Sequence, residues 1–360
     1  LRSAWPGSNF MRQRLGCPTA CGVGALPPFH FRLDTRGRPR KYSNQKFGKT
    51  ILSKAIDARI ESTYKELSSL ADRIQEHLPN EISIRLDNMG KNLWDVIIPK
   101  ELKQEYWLFS SYIKSIVINS DEPWIPWEII KPYDRDLDRE DPYWCKKFAF
   151  ARWFSGPGPE EDLRLGLVLP VAPDRANLDH LQEEVTFMEQ LNELCPDITC
   201  QPHCHDYEDV LDWLNNKNFC IMHFTSHCQL DDHAIRLNHY PLRPTDINTK
   251  FGGGKRLRPL IFINACHSGR TGFELTLLGG WPMQLLDIAN VGAFIGTMWE
   301  IDDLLAVQFA KSFYTKLIRD KQSIADAFRD AREDIRNAEP HNSSWLAYVL
   351  YADPYAKVPD

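Results

Sequence analysis

No uninterrupted apolar run in the 360 residues approaches the roughly 20 that cross a bilayer. No charged-apolar-small leader is recognisable at its start either. A cytoplasmic protein with no membrane partner is therefore expected. The chain is also short of positive charge, with 43 Lys and Arg against 49 Asp and Glu and a net charge of −6, which disfavours nucleic acid as a general partner. One stretch runs the other way, where Arg32, Arg36, Arg38, Arg40, Lys41, Lys46 and Lys49 face only Asp34. It reads as a solvated tail, and only this tract could support a nucleic-acid sensor. Regular cysteine spacing is missing too: nine cysteines, an odd number, are scattered without the pattern of a disulfide scaffold, so reduced thiols are expected. There is no internal repeat. Hydrophobic residues at 43% and charged residues at 26% exclude disorder for the chain as a whole. The first residue is Leu1 and not Met, so a longer polypeptide is expected.

Residues 1–48 carry Pro, Gly and Arg without apolar periodicity and read as irregular. From Thr50 to Leu78 the positions Ile56, Ile60, Tyr64, Leu67, Leu70, Ala71, Ile74 and Leu78 recur at three and four. That spacing predicts one amphipathic helix, assigned to 49–80 and ended by Pro79-Asn80. A strand-rich module follows over 81–155, with "EISIRLD" and "YIKSIVIN" as strands and "LWDVIIPKELKQEYW" as helix. The charged, Pro- and Gly-rich tract from Pro132 to Asp162 reads as a connection. Over 156–360 apolar strands alternate with helices: strands at 163–170, "DITCQPH", 218–224, 258–264, 291–299 and "SWLAYVLY", helices at 177–194, 206–216, 280–290, 303–319 and 322–337. Strands that are apolar without alternation predict a mainly parallel sheet covered on both faces.

Two predicted strand ends carry chemistry. One runs into Thr225-Ser226-His227, the other into Ala265-Cys266-His267-Ser268-Gly269. In open parallel sheets working residues sit past the carboxyl ends of strands. If these strands are neighbours, a thiol and an imidazole face each other across one strand spacing. The imidazole can then take the thiol proton, and N–H groups at the tight turn can hold an oxyanion. The competing reading is a packed small Cys266 and a loop histidine. His267 and His223 are rivals for the base, with His223 placed inside the sheet as a satisfied core histidine.

"HFTSHC", then "LIFINACHSG", "GAFIGTMWEIDD" and "WLAYVLYADP" in that order resemble the CHAT family of caspase-like cysteine peptidases, in the clan of caspases, separases, gingipains and metacaspases. "LWDVIIP" and "IPWEII" resemble its N-terminal half, so the likeness spans roughly 85 to 356. The resemblance implies a caspase-like α/β/α sandwich preceded by a smaller α/β module and a long N-terminal helix. It implies His227 and Cys266 as the catalytic pair and a protein substrate, with no metal or organic cofactor. It further implies a role in defence or signalling, with an activating sensor or repeat domain. Backbone N–H groups of Cys228 and Cys266 would form the oxyanion hole, and Asn264, Trp299, Glu300 and Asp302 would stand near substrate.

Two departures stand out. Cys228 occupies a position where the family has Gly, and Asn264 one where basic-specific relatives carry Asp. Asp302 or Asp303 also fits the cap of the helix beginning at Leu304. Two other readings remain: an inactive caspase-like module that binds protein, and zinc held by Cys195, Cys200, His203, Cys204 and His205. Those five donors crowd one segment read partly as strand, whose side chains point to opposite faces. Cys17 and Cys21 fit zinc no better.

Overall fold

The computed structural model describes residues 29–33, 45–50, 60, 62–67, 79–120, 125–154, 158–174, 179–227, 234–247, 251, 257–266 and 280–359. Eight strands build one sheet: β1 (Ser115–Asn119), β2 (Ala149–Trp153), β3 (Leu167–Val171), β4 (Thr199–Cys200), β5 (Ile221–His227), β6 (Leu260–Cys266), β7 (Ala293–Thr297) and β8 (Tyr348–Tyr351). Their spatial order is β1-β2-β8-β7-β6-β5-β3-β4. Every neighbouring pair is parallel except β7 with β8, whose antiparallel seam divides the sheet into two parallel blocks.

The central strands are apolar on both sides because both sides are covered. Leu260, Ile261, Phe262, Ile263 and Ala265 of β6 are all buried, as is every residue of β7. Each fully buried Phe or Ile side chain contributes about 1.5–3 kcal/mol. Helices α1 (Pro79–Ile97), α2 (Lys100–Phe109), α3 (Leu181–Glu189), α4 (Tyr207–Asn216), α5 (Asp303–Tyr314) and α6 (Ile324–Ala338) complete the main framework. α3 packs on β3 and β5, α5 on α3 and β6, and α6 on α5 and β2. The result is the helix-flanked, mainly parallel sheet expected. Among the described residues no helix is long and apolar enough to cross a membrane.

Several local expectations change. "EISIRLD" lies inside α1, where Ile82, Leu86, Met89, Leu93 and Ile97 are buried while Ile84 is exposed. Positions i and i+4 coincide with every second step of a strand alternation, so seven residues could not separate the two periods. Pro79 opens this helix rather than closing the one before, as suits a residue without an N–H to leave unpaired. Of the helix expected over 49–80, residues 60 and 62–67 are helical with Ile60, Tyr64 and Leu67 buried, and 68–78 lie outside the described residues. Residues Gln45–Thr50 instead pair antiparallel with Phe29–Leu33, inside and just beyond the tract expected to be irregular.

The stretch read as a connection contains β2, a fully buried strand of the sheet. Arg152 in its middle breaks the apolar run. In the fold its guanidinium is bonded by two nitrogens to Glu128, with Nε to Oε1 at 2.8 Å and both side chains enclosed. "DITCQPH" forms only the two-residue β4, and "SWLAYVLY" is a helical turn before β8.

Candidate active site

β5 and β6 run side by side, and their register pairs Phe262 with His223, Asn264 with Thr225, Ala265 with Ser226 and Cys266 with His227. His227 and Cys266 are each the last residue of their strand. They therefore stand at one level on the carboxyl edge of the sheet, on strands about 4.8 Å apart. Cys228, His267 and the turn through Gly269 lie outside the described residues, and with them the expected oxyanion-hole donor and one rival base.

Below this edge the two strands share a buried polar chain. Glu184 of α3 enters the core, and its Oε1 meets Nε2 of His223 at 2.7 Å and accepts from Nδ2 of Asn264 at 2.5 Å. Asn264 Nδ2 also donates to the Ala306 carbonyl at 3.2 Å, and its Oδ1 accepts from the Tyr348 hydroxyl at 3.0 Å. Nδ1 of His223 lies 3.1 Å from the Tyr314 hydroxyl, whose pKa burial pushes far up, so this phenol stays neutral. His223 is thus the core histidine expected, excluded from base chemistry by its enclosure.

Asn264 departs from expectation. Its side chain is buried and fully spent on the network, so it is a framework residue here and not part of an open substrate wall. The reason is the two-residue period of the strand, which drives position 264 into the layer shared with α3 and α5. Trp299 is also enclosed, edge-to-face with Tyr64 at 6.2 Å between ring centroids, and its indole nitrogen has no hydrogen-bond partner. Glu300 is half-buried. Asp302 takes the capping alternative: its Oδ1 accepts from the N–H groups of Leu304 at 3.0 Å and Leu305 at 3.1 Å.

Glu184, Tyr314 and Tyr348 were not singled out from the sequence. A signal existed for Glu184, which falls at the apolar helical spacing of Met188 and Leu191 where a lone carboxylate needs buried donors. Burial raises the thiols of Cys200 and Cys220 and pushes those of Cys145 and Cys204 up to about 11, so these four stay protonated at neutral pH. The five soft donors of 195–205 do not converge: Cys204 points into the core while only His203 and His205 come together, on Asp174.

Residues 167–353, more than half of the chain, match the model of the CHAT domain, and the chain belongs to that family. A crystal structure of the Arg-specific cysteine proteinase gingipain R aligns with a TM-score of 0.50 at 11% identity, covering 82% of this chain and 76% of that one. The separase–securin complex of Saccharomyces cerevisiae aligns at a TM-score of 0.44 and 13% identity, over 77% of this chain and 17% of that chain. No curated protein matches the sequence. The gingipain likeness carries the architecture alone, and that architecture is the caspase-like cysteine-peptidase fold.

Proposed function

We propose that the chain is a cysteine endopeptidase that cleaves a protein partner in the cytoplasm under the control of a further domain or protein. The observation that carries this reading is the register of Cys266 with His227 at the carboxyl edge of two parallel strands, in a chain of the CHAT family. The two-residue period gives position 266 the face of Asn264 and position 227 the face of Thr225, so both belong to one side of the sheet. His227 takes the Cys266 proton, and the thiolate forms a bond to the scissile carbonyl carbon. Backbone N–H groups near Cys266 and Cys228 hold the oxyanion. The C–N bond then breaks as the imidazolium returns its proton to the leaving amine. Water attacks the thioester with His227 as base, releasing the acid product and the thiol.

The polar chain beneath supports this by tying both strands to α3 just below their ends. Position 264 offers no carboxylate for a basic P1 side chain. Cys228 favours one rival reading, a caspase-like module that binds protein without cleaving it, because its side chain resists the φ > 0 that Gly permits.

A thiol-reactive peptidyl electrophile at neutral pH separates the two. Cys266 should be the dominant labelled residue, because Cys145, Cys200, Cys204 and Cys220 are held as thiols. Cys266→Ala and His227→Ala should each lower peptide turnover by roughly four orders of magnitude while unfolding within about 1 kcal/mol of the parent. Labelling spread evenly over several thiols, or turnover unchanged in either variant, rejects the peptidase.

A further inference from the structure

We propose a second site on the same edge of the sheet, formed by Asp174, His203 and His205, that binds a divalent transition-metal cation of the zinc class. The three residues offer ligand atoms that all lie within 4.8 Å of one another. Asp174 lies just past β3, and His203 and His205 just past β4, where Ala172 N–H to the Cys204 carbonyl at 2.9 Å and Cys204 N–H to the Pro170 carbonyl at 2.9 Å carry the pairing beyond the strands. Cys204 faces inward between the two histidines, so alternation puts both imidazoles on the opposite, accessible side.

Each ring is held by a carboxylate at one nitrogen and turns the other toward Asp174. His203 has Nδ1 at 2.9 Å from Glu189 Oε1, which also accepts the His203 backbone N–H at 2.8 Å, and its Nε2 is 3.8 Å from Asp174 Oδ1. His205 has Nε2 at 3.4 Å from Asp206 Oδ2 and Nδ1 at 3.5 Å from the same Asp174 oxygen. This is the outer-shell arrangement that sets the tautomer and basicity of metal-bound histidine. Asp174 is clamped in turn: its Oδ2 accepts from Asn238 Nδ2 at 2.8 Å and its N–H donates to Asn238 Oδ1 at 3.2 Å, which leaves Oδ1 for the imidazoles.

A second observation points to a ligand. His205 Nδ1 is enclosed and makes no hydrogen bond, and its contact with Asp174 Oδ1, at 3.5 Å, is left open between the two ligand atoms. Tetrahedral zinc at about 2.0–2.1 Å from nitrogen or oxygen sets its ligands roughly 3.3 Å apart, which the Asp174 contacts of 3.8 and 3.5 Å approach. Two imidazoles and one carboxylate suit zinc rather than the all-oxygen shells of calcium or magnesium. With Asp174 half-exposed, a fourth position faces solvent. A bound cation would tie the ends of β3 and β4 to Asn238, in the excursion that follows His227. The assignment is independent of peptidase activity.

The test uses the full chain stripped by a chelator and titrated with Zn2+ and then Co2+, with bound metal counted by elemental analysis. The parent should bind one equivalent more than His203→Ala/His205→Ala, and the Co2+ form of that equivalent should lack sulfur-to-cobalt charge transfer. Asp174→Asn, a conservative change, should weaken binding at least tenfold, and Glu189→Gln by about 10–100-fold. Cys195→Ser/Cys200→Ser should leave the equivalent in place. Equal stoichiometry in the parent and the double-histidine variant, or loss of the equivalent with the cysteines, overturns the assignment.

Discussion

The two parallel blocks on either side of the β7–β8 seam bury polar groups differently. In the β1-β2-β8 block Arg152 and Glu128 form one ion pair with side-chain exposures of 3% and 0%. Burial works to discharge the guanidinium, and the Glu128 charge and hydrogen bond together with Tyr351 and Tyr64 outweigh it, raising its pKa. Arg152 Nη2 also reaches the Met298 sulfur at 3.3 Å, which the Tyr64 hydroxyl meets at 3.4 Å, so the pair helps seat the N-terminal helix on the sheet. In the β7-β6-β5-β3-β4 block a single carboxylate, Glu184, serves His223 and Asn264 together, and Tyr314 and, from β8 across the seam, Tyr348 complete the chain. The first device depends on one strong partner. The second spreads the burden over several hydrogen bonds.

The largest effect should follow from Glu128→Ala, which strands a buried cation: a loss of about 3–5 kcal/mol in denaturant unfolding. Most of that loss should return in Glu128→Ala/Arg152→Met, and a double variant no more stable than the single one would contradict the ion-pair reading. Glu184→Leu should cost less, about 2–4 kcal/mol, because it removes one hydrogen bond each from His223 and Asn264, whose other bonds remain, instead of stranding a buried cation. If Glu184→Leu proves the more damaging of the two, the contrast between the blocks is wrong. Asp302→Ala should be mildest, about 1 kcal/mol, since its carboxylate caps α5 at the surface. A large loss of peptide turnover with unchanged stability in Asp302→Ala would return that residue to the substrate site.

Particular residues show why some features were legible and others not. β5, β6 and β7 announce themselves through runs such as "LIFIN", which only a two-sided burial explains, and their loaded ends follow from where those runs stop. β2 was hidden because Arg152 looks like a surface residue until Glu128, 24 positions away, is placed beside it. Asn264 looked available for substrate because nothing local reveals that Glu184 and Tyr348 consume its amide. His203 and His205 stood among the soft donors of one segment, but Asp174 was not legible beside them because it lies far upstream of the two histidines it faces.

By itself the sequence determined the alternation of apolar strands with helices, the parallel sheet this requires, and the two strand ends bearing imidazole and thiol. Tertiary structure alone decided that the first of the read strands is helix, that Arg152 belongs inside, and that Asn264 is framework while Asp302 is a cap. Periodicity is a property of neighbours along the chain and survives in any fold that buries one face. Charge neutralisation and hydrogen-bond satisfaction depend on partners tens to hundreds of residues away, and only packing names them.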